Sequence, residues 1–218
     1  MATVLRISQD LTPDIFHSVT DCIERGGVIA VATESSYALA ASVRCIPALE
    51  RITKIKGDRN AKPILLLVSS QGQVRSIAGP IPRVAERLMD RFWPGPLTLV
   101  LPAAADLSGI VTGGTETIGV RQPGCPQLLS LLDVTGPLTG TSANRSGGAP
   151  ADTAEAIVQE FGDEIDLVLD TGSSPGGNPS TIVSVVDEIQ LLRRGPVSSD
   201  LIQNVLAPFG ARLHDLAP

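Results

Sequence analysis

Two hydrophobic periods alternate along the chain, and glycine, proline or a capping hydroxyl marks each switch. Thr12-Pro13-Asp14 predicts a helix start, with a capping hydroxyl, proline at the first helical position and then an acid. Ile15, Phe16, Val19 and Ile23 follow at helical spacing, and Gly26-Gly27 ends the run. Further helices are expected over 47–55, with Leu49, Ile52 and Ile55 on one face, over 82–92 before Pro94-Gly95-Pro96, and over 126–132. Asp152-Thr153-Ala154-Glu155 resembles a capping box opening a helix that closes at Phe161-Gly162, and 199–206 reads as a last helix. Short apolar runs predict strands at 28–32, 64–68, 97–101, 117–121, 138–141, 166–169, 181–186 and 190–193, the last two joined through Asp187-Glu188. The irregular segments 103–116 and 171–180 have strand patterns on both sides, so neither reads as an interdomain linker. The expected fold is α/β, a single domain with a large twisted mixed β-sheet flanked by helices.

Composition narrows the class. The chain has 218 residues, 43% hydrophobic and 18% charged, which excludes a disordered chain. Aromatics make up 3%, so Val, Ile, Leu and Ala must fill the core, as suits strands covered by helices. The net charge is −6, so the chain does not read as a general nucleic-acid coat, and any RNA contact would need a local basic patch. Cys22, Cys45 and Cys125 are odd in number and lack zinc spacing, which favours a reducing compartment. Without an apolar signal core or a span of about 18 uninterrupted apolar residues, a cytoplasmic protein with no membrane partner is expected.

Four polar clusters interrupt the apolar strands. They are Thr33-Glu34-Ser35-Ser36-Tyr37, the stretch from Lys54 through Lys56, Asp58, Arg59, Asn60 and Lys62 to Pro63, then Thr115-Glu116-Thr117 with Arg121, and Thr139-Gly140-Thr141-Ser142-Ala143-Asn144-Arg145-Ser146-Gly147-Gly148. Ligands of open α/β sheets bind beyond strand ends, so all four could share one crevice. The last cluster offers hydroxyls, a carboxamide, a guanidinium and bare backbone N–H groups, suited either to an anion or to a plain Ser/Gly turn. The second concentrates positive charge in an acidic chain, either for a polyphosphate or as a solvated turn. Arg121 ends an apolar run and needs a partner, either a ligand carboxylate or phosphate or an internal Glu34 or Glu116. Neither a Walker loop nor a Gly-x-Gly-x-x-Gly opening is present, and His17 and His214 sit badly for a Ser-His-Asp triad. No metal-ligand spacing occurs either. Chemistry here would rest on positioning and electrostatics.

Several blocks fall in a familiar order. They are Val31-Ala32-Thr33-Glu34-Ser35-Ser36-Tyr37-Ala38-Leu39, Ile55-Lys56-Gly57 through Lys62-Pro63, Phe92-Trp93-Pro94-Gly95-Pro96-Leu97-Thr98, Thr117-Ile118-Gly119-Val120-Arg121, Thr141-Ser142-Ala143-Asn144-Arg145-Ser146-Gly147, and Pro179-Ser180-Thr181-Ile182-Val183. Together they resemble the YrdC-like domain, the threonylcarbamoyl-adenylate synthases, over residues 12–205, leaving 206–218 as a tail. The resemblance implies a nucleotidyltransferase that makes threonylcarbamoyl-AMP and pyrophosphate from L-threonine, bicarbonate or CO2, and ATP. A downstream tRNA threonylcarbamoyl transferase would use the product to modify adenosine. By the same resemblance Lys56, Arg59, Ser142 and Asn144 are catalytic. Thr33, Arg121, Thr141 and Ser180 surround threonine. Lys56, Arg59, Asn60, Lys62, Thr117, Ser142, Asn144 and Arg193 surround the nucleotide, with Arg193 towards adenosine. Mg2+ is expected with ATP, without dedicated protein ligands.

The chain departs from the family pattern in places. Asp58 stands where the family has arginine, and Arg59 follows. Ala38 and Ala40 replace glycines, Cys125 takes a place often held by histidine, and the chain reads as the short form without a second domain. Two alternatives stay open. One is a module binding tRNA or double-stranded RNA, a label family members carry. The other is a diverged nucleotide-binding paralogue without threonine chemistry.

Overall fold

The computed structural model describes residues 1–7, 11–57, 63–145, 147–174 and 176–217. In chain order the first elements are β1 (Thr3–Arg6), α1 (Pro13–Glu24), β2 (Ile29–Ala32), β3 (Tyr37–Ala40), α2 (Ile46–Lys56), β4 (Leu65–Leu67), α3 (Gln71–Arg75), α4 (Arg83–Phe92) and β5 (Leu97–Pro102). They continue as α5 (Gly109–Thr112), β6 (Thr117–Arg121), α6 (Pro126–Thr135), β7 (Leu138–Thr139), β8 (Thr141–Ser142), α7 (Ala154–Phe161) and β9 (Leu167–Asp170). The last are β10 (Thr181–Ser184), β11 (Gln190–Arg193), α8 (Ser199–Leu206) and β12 (His214–Asp215), with a 3-10 turn at Ala207–Phe209.

Local chemistry explains the helix starts. The Thr12 hydroxyl accepts from Ile15 N at 3.4 Å, and Pro13 opens α1 as its sequence predicts. At α7 the cap is Thr153, whose hydroxyl accepts from Ala156 N at 3.2 Å. Glu155 therefore falls one position short of the site that would reach back to the cap, and the reciprocal box is not made.

The α/β class holds, with mixed parallel and antiparallel pairing, but the strands are shared between two sheets. The five-stranded sheet runs β1-β9-β2-β3-β8 and the seven-stranded sheet β12-β11-β10-β5-β6-β4-β7. The single strand expected at 138–141 crosses from one to the other. Thr139 pairs with Leu66 of β4, whereas Ser142 pairs with Ala38 of β3. Gly140 is the crossing point. A Cβ there would lie 2.5 Å from Leu67 Cγ, so only glycine lets the two sheets meet this closely.

Burial follows the two-residue strand period. On β2 and β3, Ala30, Ala32, Tyr37 and Leu39 face the main core with Leu49 and Ile52 of α2. Ile29, Val31, Ala38 and Ala40 face a second core closed by Val19 and Ile23 of α1 and Leu128, Leu131 and Leu132 of α6. Both faces of β2 are covered, which is why it reads as a continuous apolar run. Two strands lie outside the 12–205 expectation. β1 runs parallel to β9, and β12 runs parallel to β11. β12 is two residues long and solvent-exposed, so no periodicity marks it.

Candidate active site

Between the sheets lies a cleft of about 790 Å³. Its wall takes Thr33, Ser35 and Ser36 from the turn after β2, Thr117 and Arg121 from β6, and Thr141 and Ser142 from β8. Ser180, just before β10, and Arg193 of β11 complete it. All four polar clusters thus reach one crevice, the second through Pro63 at its edge. Asp58, Arg59, Asn60 and Lys62 lie outside the described residues.

One end of the cleft is built around two arginines. Arg121 is 4% exposed. Its Nε donates to Gly95 O at 3.0 Å, and its Nη2 pairs with Glu34 Oε1. The same carboxylate oxygen accepts from Gly124 N at 3.0 Å. Of the two internal partners open to Arg121, the structure selects Glu34, and Arg121 is on the cleft wall as well. The Trp93-Pro94-Gly95 turn supplies that carbonyl, and a side chain on Gly95 would collide with Phe92 O at 2.6 Å.

Arg193 approaches the same end. Its Nε donates to Ser180 O at 2.9 Å and its Nη2 to Ser180 Oγ at 3.0 Å. Burial, and secondly the charge of Arg121, pull the Arg193 guanidinium below its ordinary value. Two cations so placed favour an anionic ligand. They also bring Arg193, expected near adenosine, onto Ser180, expected near threonine. The two assigned sets meet here.

At the other end Lys56 closes α2. Its Nζ donates to Ser142 O at 2.8 Å, to Asn144 Oδ1 at 2.7 Å and to Asn144 O. Ser142 Oγ donates to the same Asn144 Oδ1. Lys56 and Asn144 are buried behind Ser142, which carries this cluster to the cleft wall. Thr33 shapes its own turn, donating to Ser36 O at 2.8 Å and accepting from Ser35 N at 3.2 Å.

Sequence reasoning passed over two features. Thr98, inside an otherwise apolar strand, shares a 2.7 Å hydrogen bond with Ser180 Oγ on the cleft wall. The lone hydroxyl in that run was its signal. The irregular 171–180 segment forms a wall through Gly176, Gly177 and Pro179. It is tied down by Tyr37, whose hydroxyl donates to Gly172 O at 2.9 Å. Burial, then the Asp170 charge, raise the Tyr37 phenol above its ordinary value, so it remains a donor at neutral pH. Of the two alanines in family glycine positions, Ala38 lines the cleft, whereas Ala40 is fully buried in the second core. Cys125 caps α6 and is not among the residues lining the cleft.

The Sua5/YciO/YrdC family model, described as "Telomere recombination", matches residues 21–195. The chain belongs to this family. A threonylcarbamoyl-AMP synthase of Bacillus subtilis is 36% identical over 84% of the chain, which spans 54% of that relative's length. The synthase of Thiobacillus denitrificans is 35% identical over 75% of the chain and 87% of its own length. A solved structure of Pyrococcus abyssi Sua5 complexed with L-threonine superposes with TM-score 0.89 at 30% identity, covering 98% of this chain and 63% of that one. The chain thus spans about half the length of its Bacillus relative. The family match takes in every cleft residue named above, from Thr33 to Arg193.

Proposed function

We propose that this chain is a threonylcarbamoyl-AMP synthase. One observation carries the reading. In a chain whose relatives bear that name, residues from the turn after β2 and from β6, β8, β10 and β11 converge on one cleft, with Arg121 and Arg193 on its wall and Lys56 behind Ser142. In the reaction, the threonine amine adds to CO2 with loss of a proton, or condenses with bicarbonate with loss of water, to give a carbamate. A carbamate oxygen then bonds the α-phosphorus of ATP as the bond to pyrophosphate breaks.

Arg121 holds the threonine carboxylate, its fork fixed by Gly95 O and Glu34, with Thr33, Thr141 and Ser180 as neighbouring hydroxyls. Ser142 meets the phosphates at the wall with Lys56 and Asn144 behind it, and the family resemblance assigns Arg59, Asn60 and Lys62 to the same phosphates. Thr117 and Arg193 line the nucleotide side. Lys56 adds positive charge in a buried setting, where charge is weakly screened and stabilises a developing anion strongly. No group of three or more His, Cys, Asp or Glu that could hold a metal is found among the described residues. Asp152 is a carboxylate on the cleft wall. This donor set fits a Mg2+ that keeps phosphate and water as most of its ligands. Such an ion would offset phosphate charge. The product would pass to a tRNA threonylcarbamoyl transferase.

Calorimetric titration with L-threonine tests the site. The parent chain is expected to bind it, and Arg121→Lys to bind about tenfold more weakly, about 1.4 kcal/mol, because a point charge replaces a planar fork. Equal affinity in the two proteins would leave Arg121 as an internal ion-pair residue only.

A further inference from the structure

Arg145 stands beside Asn144, yet it is not among the residues lining the cleft and works behind it. Its Nη2 donates to Glu160 O at 3.2 Å and pairs with the Glu164 carboxylate. Its Nη1 donates to Ile55 O at 3.5 Å, and the guanidinium carbon lies 5.3 Å from the centre of the Phe161 ring. The backbone of the same residue is also engaged. Its N–H donates to Glu160 Oε1 at 3.2 Å, and its carbonyl accepts from Asn144 Nδ2 at 3.0 Å and from Gly148 N at 2.9 Å.

One residue therefore joins three pieces: the loop bearing Asn144, the last turn of α2 one residue before Lys56, and the C-terminal half of α7. A cation against the last carbonyls of a helix is also favoured by the helix dipole. Isolated surface ion pairs contribute little, but this side chain has an ionic anchor, two backbone carbonyls and a ring.

The geometry points to Arg145 as a positioning residue that sets the seat of the Lys56 ammonium. The named oxygens under Lys56 Nζ all belong to Ser142 and Asn144, so the ammonium meets them only if α2 and the loop keep their relative placement. Arg145 fixes that placement from outside, by clamping both to α7. Its consequence for phosphate binding rests on the functional reading above; the clamp itself does not.

The test uses the full chain and a readout independent of activity. An amine-acylating reagent labels Lys56 at a rate followed by peptide mass spectrometry, with exposed Lys54 as internal reference. Arg145→Met keeps the apolar stem over Phe161 and removes the donors. Glu164→Gln leaves Arg145 in place and weakens its anchor. Lys56 labelling is expected to accelerate about tenfold in Arg145→Met, because local opening exposes the amine, and less in Glu164→Gln. Arg145→Lys should restore part of the protection. ATP affinity should fall several-fold in Arg145→Met with threonine affinity unchanged, a split that general destabilisation would not produce. Unchanged Lys56 labelling in both Arg145→Met and Glu164→Gln overturns the inference. If Arg145→Met fails to fold, Glu164→Gln decides alone. Faster labelling in a chain that binds no ATP supports the clamp and removes only the functional reading.

Discussion

Lys56 shows how one residue links stability to binding. It lies 7% exposed, and its ammonium donates to two backbone carbonyls and a side-chain amide oxygen. Lys56→Ala removes the ammonium from Asn144 O, while Ser142 O keeps Asn144 N and Asn144 Oδ1 keeps Ser142 Oγ, and should lower folding stability by about 1–3 kcal/mol in denaturant unfolding. It should also weaken ATP binding at least tenfold in titration, since charged contacts to phosphate contribute about 1.5–3 kcal/mol. Unchanged ATP affinity would take Lys56 out of the phosphate site. Thr33 and Arg121 were legible in the sequence because a hydroxyl and a cation stand out at the ends of apolar runs, whereas Ser180 was named by the family resemblance alone. The pairing of site residues was not legible. Arg121 and Glu34 are 87 residues apart in the chain, and Lys56 and Asn144 are 88 apart. Periodicity and spacing carry no information on which distant groups meet. The choice between Glu34 and Glu116 therefore waited for the structure.

At the scale of elements, the long amphipathic helices and fully buried strands were readable because one face or both repeat without interruption. Thr117–Arg121, Gln190–Arg193 and Ser199–Leu206 fall at their expected bounds. β12 and the four-residue α5 inside the irregular 103–116 segment were missed because they are too short for a period to register, and β3 because Tyr37 was grouped with the polar cluster before it. The division into two sheets was hidden for another reason. β7 and β8 read as one strand, and the switch between partners depends on Leu67 of β4 lying against Gly140. Gly140→Ala tests that dependence. Its methyl would fall within 2.9 Å of three side-chain carbons of Leu67, so it should cost about 1–3 kcal/mol of stability as overpacking does. Gly119→Ala is the control, since its methyl would meet Thr98 Cγ2 at an ordinary 3.6 Å. Equal thermal midpoints for the two variants would show that the sheet crossing does not need a glycine.

For the molecule as a whole, charge distribution says more than net charge. The chain carries −6 overall, yet Arg121, Arg193 and Lys56 are gathered around one interior cleft. A concave interior site of this kind suits small anions, whereas a duplex backbone needs an extended basic face. Two sheets meeting at Gly140 bring loops from opposite halves of the chain together, so one site draws on residues from Thr33 to Arg193. The central claim is that this cleft joins threonine, bicarbonate and ATP. The most direct test is pyrophosphate release from ATP with threonine and bicarbonate supplied together, singly and not at all. Release is expected only when both are present, with one threonylcarbamoyl-AMP formed per pyrophosphate. Release that is indifferent to threonine, or no release in a chain that nonetheless binds ATP, would contradict the account.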